Sequence, residues 1–229
     1  MRRKRVLFAT AFTAACAIGA TPPSTVMAAD CAVGFPSTDS DVPCGFNLVG
    51  THAGVADPRG GFTIVVRDFA HNPVADCEVT IDFGACSDIR IATVQPSPGV
   101  TVECLASPPH HALVHATSDA LGTVRMSIVG FATNTGAHDP GSGFKCATVY
   151  AGTTNLGTVN VGAFDQNGSG GINPVDISVY LPDQFGFPAT FRGRSDFNCT
   201  GTITPADLSI LLAALFGSGS TQSAADYCH

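Results

Sequence analysis

Residues 165–186 read DQNGSGGINPVDISVYLPDQFG, and residues 196–217 read DFNCTGTITPADLSILLAALFG. Aligned at an offset of 31 residues, the two stretches agree at ten of twenty-two positions. Calcium takes six to eight hard oxygen ligands, and a twelve-residue loop presents them from positions 1, 3, 5, 7, 9 and 12 around a glycine that permits the sharp turn. The first stretch supplies Asp165, Asn167, Ser169, the carbonyl of Gly171, Asn173 through water, and Asp176, with Gly170 at the turn. The second supplies Asp196, Asn198, Thr200, the carbonyl of Thr202, Thr204 through water, and Asp207, with Gly201 at the turn. A polar, glycine-rich hairpin could imitate one such loop by chance. Two copies in register, each with an acid at both ends, argue against that and predict two calcium ions.

Each loop leads into a helix. Asn173-Pro174 and Thr204-Pro205 place a capping side chain before a proline at the first helical residue. Ile177, Val179, Tyr180 and Leu181 give the first helix an apolar face; Leu208, Ile210, Leu211, Leu212, Leu215 and Phe216 do so for the second. Pro182 should end or bend the first helix near Leu181. Ile172 and Ile203 stand at the eighth loop position, where paired loops place an apolar residue in a short two-stranded contact. Residues 159–164 before the first loop read as strand, and Gly193-Arg194-Ser195 before the second as coil.

This pair of loops resembles a dockerin, in which two loop-helix halves, each without the leading helix of an EF-hand, pack with pseudo-twofold symmetry. Aspartate at both twelfth positions and the lack of a preceding helical pattern carry the resemblance. The fifth position departs from it: Ser169 and Thr200 stand where an acid is usual, leaving two carboxylates per loop. Affinity should be weaker for that reason, within reach of millimolar extracellular calcium. The resemblance implies a cohesin-like protein or another cell-surface protein as partner, read by Pro174, Val175, Ser178, Pro205, Ala206 and Ser209. These differ from the hydroxyl-rich pairs of the best-known cohesin binders, so no particular partner follows.

Upstream, short β-branched and aromatic runs at 62–69, 77–83, 89–94, 100–105, 112–117, 122–129, 146–151 and 156–164 alternate with Gly, Pro, Asn and Asp. Cys77, Val79, Ile81 and Phe83 set against Glu78, Thr80 and Asp82 predict a strand with one face in a core and one toward water. Val124, Met126 and Ile128 alternate with Arg125 and Ser127 in the same way. Turns are expected at His71-Asn72-Pro73, Pro96-Ser97-Pro98-Gly99 and Asn155-Leu156-Gly157. Seven or eight strands at this spacing predict a β-sandwich. The segments VRDFAHNPVADCEVTIDF, ATSDALGTVRMSI and CATVYAGTTNLGTVNV resemble bacterial immunoglobulin-like repeats of the invasin and intimin type. That resemblance implies a non-catalytic spacer or adhesive module at a cell surface.

The chain opens with Arg2, Arg3, Lys4 and Arg5, continues through an apolar stretch over 6–20, and reaches Val26, Met27, Ala28 and Ala29. That order is a secretory signal peptide, cleaved after Ala28 or Ala29. The stretch is too short and too interrupted for a membrane anchor. Cleavage removes four basic residues and none of the eighteen acidic ones, taking the formal charge from −7 to −11. Nucleic acid and anionic lipid are poor partners for such a chain. Of nine cysteines, Cys16 leaves with the leader, and the remaining eight predict four disulfides in an oxidising compartment. Cys31 with Cys44 and Cys199 with Cys228 are the easiest local closures, leaving Cys77, Cys86, Cys104 and Cys146 to pair among themselves.

Enzyme signals are weak. His110, His111 and His115 flank or follow Pro108-Pro109 without a ligand at helical spacing, and Asp82, Glu103 and Asp119 would act as glycosidase carboxylates only if a cleft gathered them. No nucleophile elbow, phosphate loop or zinc helix motif is present. The sequence thus predicts a mostly β, secreted, non-catalytic protein: signal peptide over 1–29, a Cys-stapled segment over 30–44, an immunoglobulin-like β-sandwich over 45–162, a dockerin-like, EF-hand-like helical calcium pair over 163–217 and a polar tail over 218–229. The alternative is a polysaccharide-binding or polysaccharide-degrading component of an extracellular assembly.

Overall fold

The computed structural model describes residues 31, 34–106, 111–133, 143–185, 192–217 and 226–228. The expected signal peptide, His110 and most of the tail lie outside the described residues. Within them a curled, mixed β-sheet is followed by two C-terminal helices.

The main sheet has six strands. β1 (Gly45–Leu48) opens it; β2 (Thr51–His52) and β3 (Val55–Ala56) form a small hairpin; β4 (Phe62–Val65), β5 (Glu78–Asp82), β6 (Ile89–Ile91), β7 (Thr101–Leu105) and β8 (His111–Thr117) follow. β9 (Thr123–Met126), β10 (Gly130–Ala132), β11 (Ala147–Ala151) and β12 (Thr154–Ala163) complete the β part, and α1 (Pro174–Phe185) and α2 (Pro205–Phe216) close the chain. The six-stranded order is β1-β12-β11-β5-β8-β7, with β4-β9 and β10-β6 as separate pairs. β1 runs parallel to β12, and the other pairings are antiparallel.

The alternation read in the sequence sets which face is buried. Val79 and Ile81 of β5 are fully buried, as are Cys77 and Phe83 at its two ends, while Glu78, Thr80 and Asp82 face outward. Across the core, Val124 and Met126 of β9 and Ile64 of β4 meet them in one apolar cluster with Val114 and Val149. Phe46 stacks on Phe62 at 4.5 Å between ring centroids, joining β1 to β4. Each full burial of an aliphatic side chain of this kind contributes about 1.5–3 kcal/mol.

Two expectations for the β part change. Asn155-Leu156-Gly157 is not the reversal; it lies inside β12, opposite a register shift between Val149 and Tyr150. The chain turns earlier, at Gly152, whose φ of +53° suits the tight loop between β11 and β12.

The disulfides also differ. Cys31 bonds Cys77, Cys86 bonds Cys146 and Cys104 bonds Cys228. Neither short closure forms, because spatial neighbours here are not sequence neighbours. Cys228 returns to the sheet, where its N–H donates to the Ile91 carbonyl at 3.0 Å, and Tyr227 pairs with Ala92. Its thiol therefore meets Cys104, not Cys199. Among the described residues, no helix is long and apolar enough to cross a membrane.

Candidate functional site

The two loops grow directly out of the sheet. β12 becomes buried on both faces from Val159 onward, where its pairing passes from β11 to β1, and it runs without a linker into Phe164 and Asp165. Phe164, Ile172, Tyr180, Phe197, Leu211 and Ala214 form a second apolar cluster together with Val49, which follows β1. The Ala132 N–H donates to the Asp165 carbonyl at 2.9 Å, and Asn47 Nδ2 donates to the Phe197 carbonyl at 3.2 Å. Each loop is thus pinned to a strand.

Inside the loops the same contacts recur 31 positions apart. The Asp165 carboxylate accepts from the N–H groups of Ser169, Gly170 and Gly171 at 3.2, 3.0 and 2.9 Å. Its counterpart Asp196 accepts from Thr200 and Gly201 at 3.0 and 2.8 Å. Asn167 Oδ1 accepts from the Ser169 N–H at 2.8 Å, as Asn198 Oδ1 does from that of Thr200 at 3.2 Å. The Ser169 hydroxyl lies 3.3 Å from the Gly171 carbonyl, and the Thr200 hydroxyl 3.0 Å from the Thr202 carbonyl. At the twelfth position Asp176 reaches back to the N–H groups of Gln166, Asn167 and Asn173, and Asp207 to those of Asn198 and Thr204. Both side chains are fully buried. Gly170 at φ +94° and Gly201 at φ +78° occupy the left-handed turn position that a side chain would strain.

These contacts also start the helices. Thr204 caps α2 in a reciprocal capping box with Asp207. Asn173 Oδ1 accepts from the Val175 N–H at 2.9 Å at the head of α1. The Tyr180 hydroxyl donates to the Thr204 carbonyl at 2.9 Å, so the first helix is fastened to the start of the second.

Burial, with the Asp165 carboxylate adding to it, pushes Asp176 up from 3.8 to about 6; burial also raises Asp165. Both groups share a confined space with mainly neutral donors around them. Every candidate ligand in either loop is an oxygen, which suits a hard cation. Among the described residues, no three of His, Cys, Asp and Glu gather as a metal-holding group, since each loop brings two carboxylates and completes its set with hydroxyl, amide and backbone oxygens.

Several local expectations are corrected. Pro182 does not stop α1, which continues to Phe185 because Asp183 is buried beneath it and held by Arg192, Arg194 and Ser195. Gly193–Ser195 is a 3-10 turn, not coil. Among the described residues, no ladder or bridge joins Ile172 to Ile203; both pack in the second apolar cluster instead.

Pro174, Val175, Ser178, Pro205, Ala206 and Ser209 are all exposed, with Val175 at 54%. On the sheet, His115 lies 2.7 Å from Glu78 and 3.8 Å from Glu103, and His111 lies 3.4 Å from Asp82. Asp119 is elsewhere, capping the N–H groups of Leu121 and Thr123 in a turn that lowers its pKa. An open groove of about 340 Å³ lies along Phe62, Pro98, Arg125 and Met126 and includes none of these carboxylates.

What the sequence did not foretell is a buried charge network. Arg194 Nε donates to Asp183 Oδ2 at 3.1 Å, Arg192 also pairs with Asp183, and the Ser195 hydroxyl donates to Asp183 at 2.6 Å. Two arginines two positions apart, just before the second loop of an acidic chain, were its only signal.

The chain matches no family model, no curated protein and no solved structure.

Proposed function

We propose that this is an exported, non-catalytic protein whose duplicated loops bind two calcium ions and present the first turns of α1 and α2 to a cohesin-like or other cell-surface partner. The observation that carries the reading is the recurrence of one hydrogen-bond pattern at a 31-residue offset around oxygen-only donor sets. Asp165, Asn167, Ser169, Gly171, Asn173 and Asp176 would hold one ion, and Asp196, Asn198, Thr200, Thr202, Thr204 and Asp207 the other. Bound calcium supplies positive charge that offsets the paired loop carboxylates, so it stabilises the fold of the module. The dockerin-like reading of this pair and the immunoglobulin-like reading of the sheet both belong to this proposal. Supporting the second is the core enclosed between the six-stranded sheet and the β4-β9 pair.

Six exposed residues at the heads of two equivalent helices form the proposed docking surface. Retention of cohesin-type domains on the immobilised chain in calcium, abolished by a chelator and by the double substitution Val175→Asp, Ala206→Asp, tests it. Retention that survives both treatments would contradict the docking role.

A further inference from the structure

We propose that Cys44 and Cys199 form a fourth disulfide, a covalent cross-link between the start of β1 and the second loop. The six other described cysteines are paired, and these two are the free ones. They meet at Asn160 of β12. The Asn160 N–H donates to the Cys44 carbonyl at 3.0 Å, and its Nδ2 lies 3.6 Å from Cys199 Sγ. Cys199 Sγ sits 3.2 Å from where a β-carbon on Gly45 would stand, so it rests against the backbone beside Cys44.

A second observation points the same way. Cys199 has φ +61°, in the left-handed region that disfavours a side chain. The equivalent residue of the first loop, 31 positions earlier, is Gly168, at φ +67°. The second loop therefore carries a cysteine at a position where its twin uses the residue free of that cost. A cross-link to Cys44 accounts for it.

The bond needs an oxidant, supplied in an export compartment by the disulfide of a thiol oxidoreductase or of glutathione. Cys44, the exposed member, attacks one sulfur of that disulfide as thiolate and expels the other as a thiolate. Cys199, partly buried beside it, then loses its proton and displaces the second thiol, leaving one S–S bond and two reduced carrier thiols. The bond would close a longer stretch of chain than any of the other three disulfides.

The inference does not rest on calcium binding, and its test is made in chelator. The full chain is exported into an oxidising compartment, alkylated without reduction, digested and mapped by mass spectrometry. A peptide pair joined through Cys44 and Cys199, with neither residue alkylated, is expected. Alkylation of either residue, or either residue bridged to another cysteine, would overturn the proposal. As a second reading, the Cys199→Ser variant incubated with oxidised glutathione should trap a glutathione adduct on Cys44. In the oxidised parent no such adduct should form, and its formation there would count against the cross-link.

Discussion

Arg194 Nη1 lies 3.4 Å from Asp88 Oδ2, and both side chains are buried where the loops join the sheet. Asp88 belongs to the β part, just before β6, whereas Arg194 precedes the second loop. Arg194 also binds Asp183 near the end of α1. One guanidinium thus links the sheet, the first helix and the second loop. Replacing it by alanine removes the buried ion pair to Asp88 and leaves Asp183 with Arg192 and Ser195, and loss of about 3–5 kcal/mol is expected. Urea denaturation of the Arg194→Ala variant checks this; a loss within about 0.5 kcal/mol of zero, as for an ordinary surface site, would contradict it.

The capping box at the head of α2 gives a smaller effect. Thr204 accepts from the Ala206 N–H, while Asp207 accepts from the Thr204 N–H at 2.9 Å. In chelator, Thr204→Ala should cost about 1 kcal/mol of stability. Thermal melts of variant and parent measure it, and an unchanged midpoint would mean that the cap is idle.

The proposed calcium binding should depend on pH through Asp176. Its folded-state value is raised from 3.8 to about 6, so its contribution to metal-free stability is fully present below 3.8 and is lost as pH rises through about 6. Calcium, which needs the ionised carboxylate, should displace a proton near that pH and bind more tightly above it. Calorimetry near pH 6 in buffers of different ionisation enthalpy should register proton release in the parent and less in Asp176→Asn. Identical heats for parent and variant across the buffers would rule Asp176 out as the source.

Cys199 separates backbone cost from cross-link benefit. In a Cys44→Ser background, adding Cys199→Gly removes a side chain from a left-handed position and should stabilise by about 1 kcal/mol. In the parent the same substitution removes the cross-link and should destabilise. Equal effects in the two backgrounds, read by urea denaturation, would show that no bond joins the pair.

The local signals in the sequence carried far. Alternation at 77–83 and 122–129 places β5 and β9 with the correct faces buried, because a period of two leaves a half-buried strand little choice. The loop hydrogen bonds within 165–176 recur within 196–207, in step with the 31-residue repeat. Features made by long-range contact were not legible. β1 is only four residues long and gains its place by parallel pairing with β12, far along the chain. The disulfides follow the same logic, since Cys104 and Cys228 meet only once the tail has crossed to β6. Pro182 reads as a helix stop in isolation, yet the ion pairs of Asp183 lie beyond it and keep α1 intact.

Calcium titration calorimetry on the full chain, repeated after Asp165→Ala and after Asp196→Ala, tests the central claim most directly. Two binding events are expected in the parent, with each substitution abolishing one and sparing the other. Heat of dilution alone, up to millimolar calcium, would contradict the account.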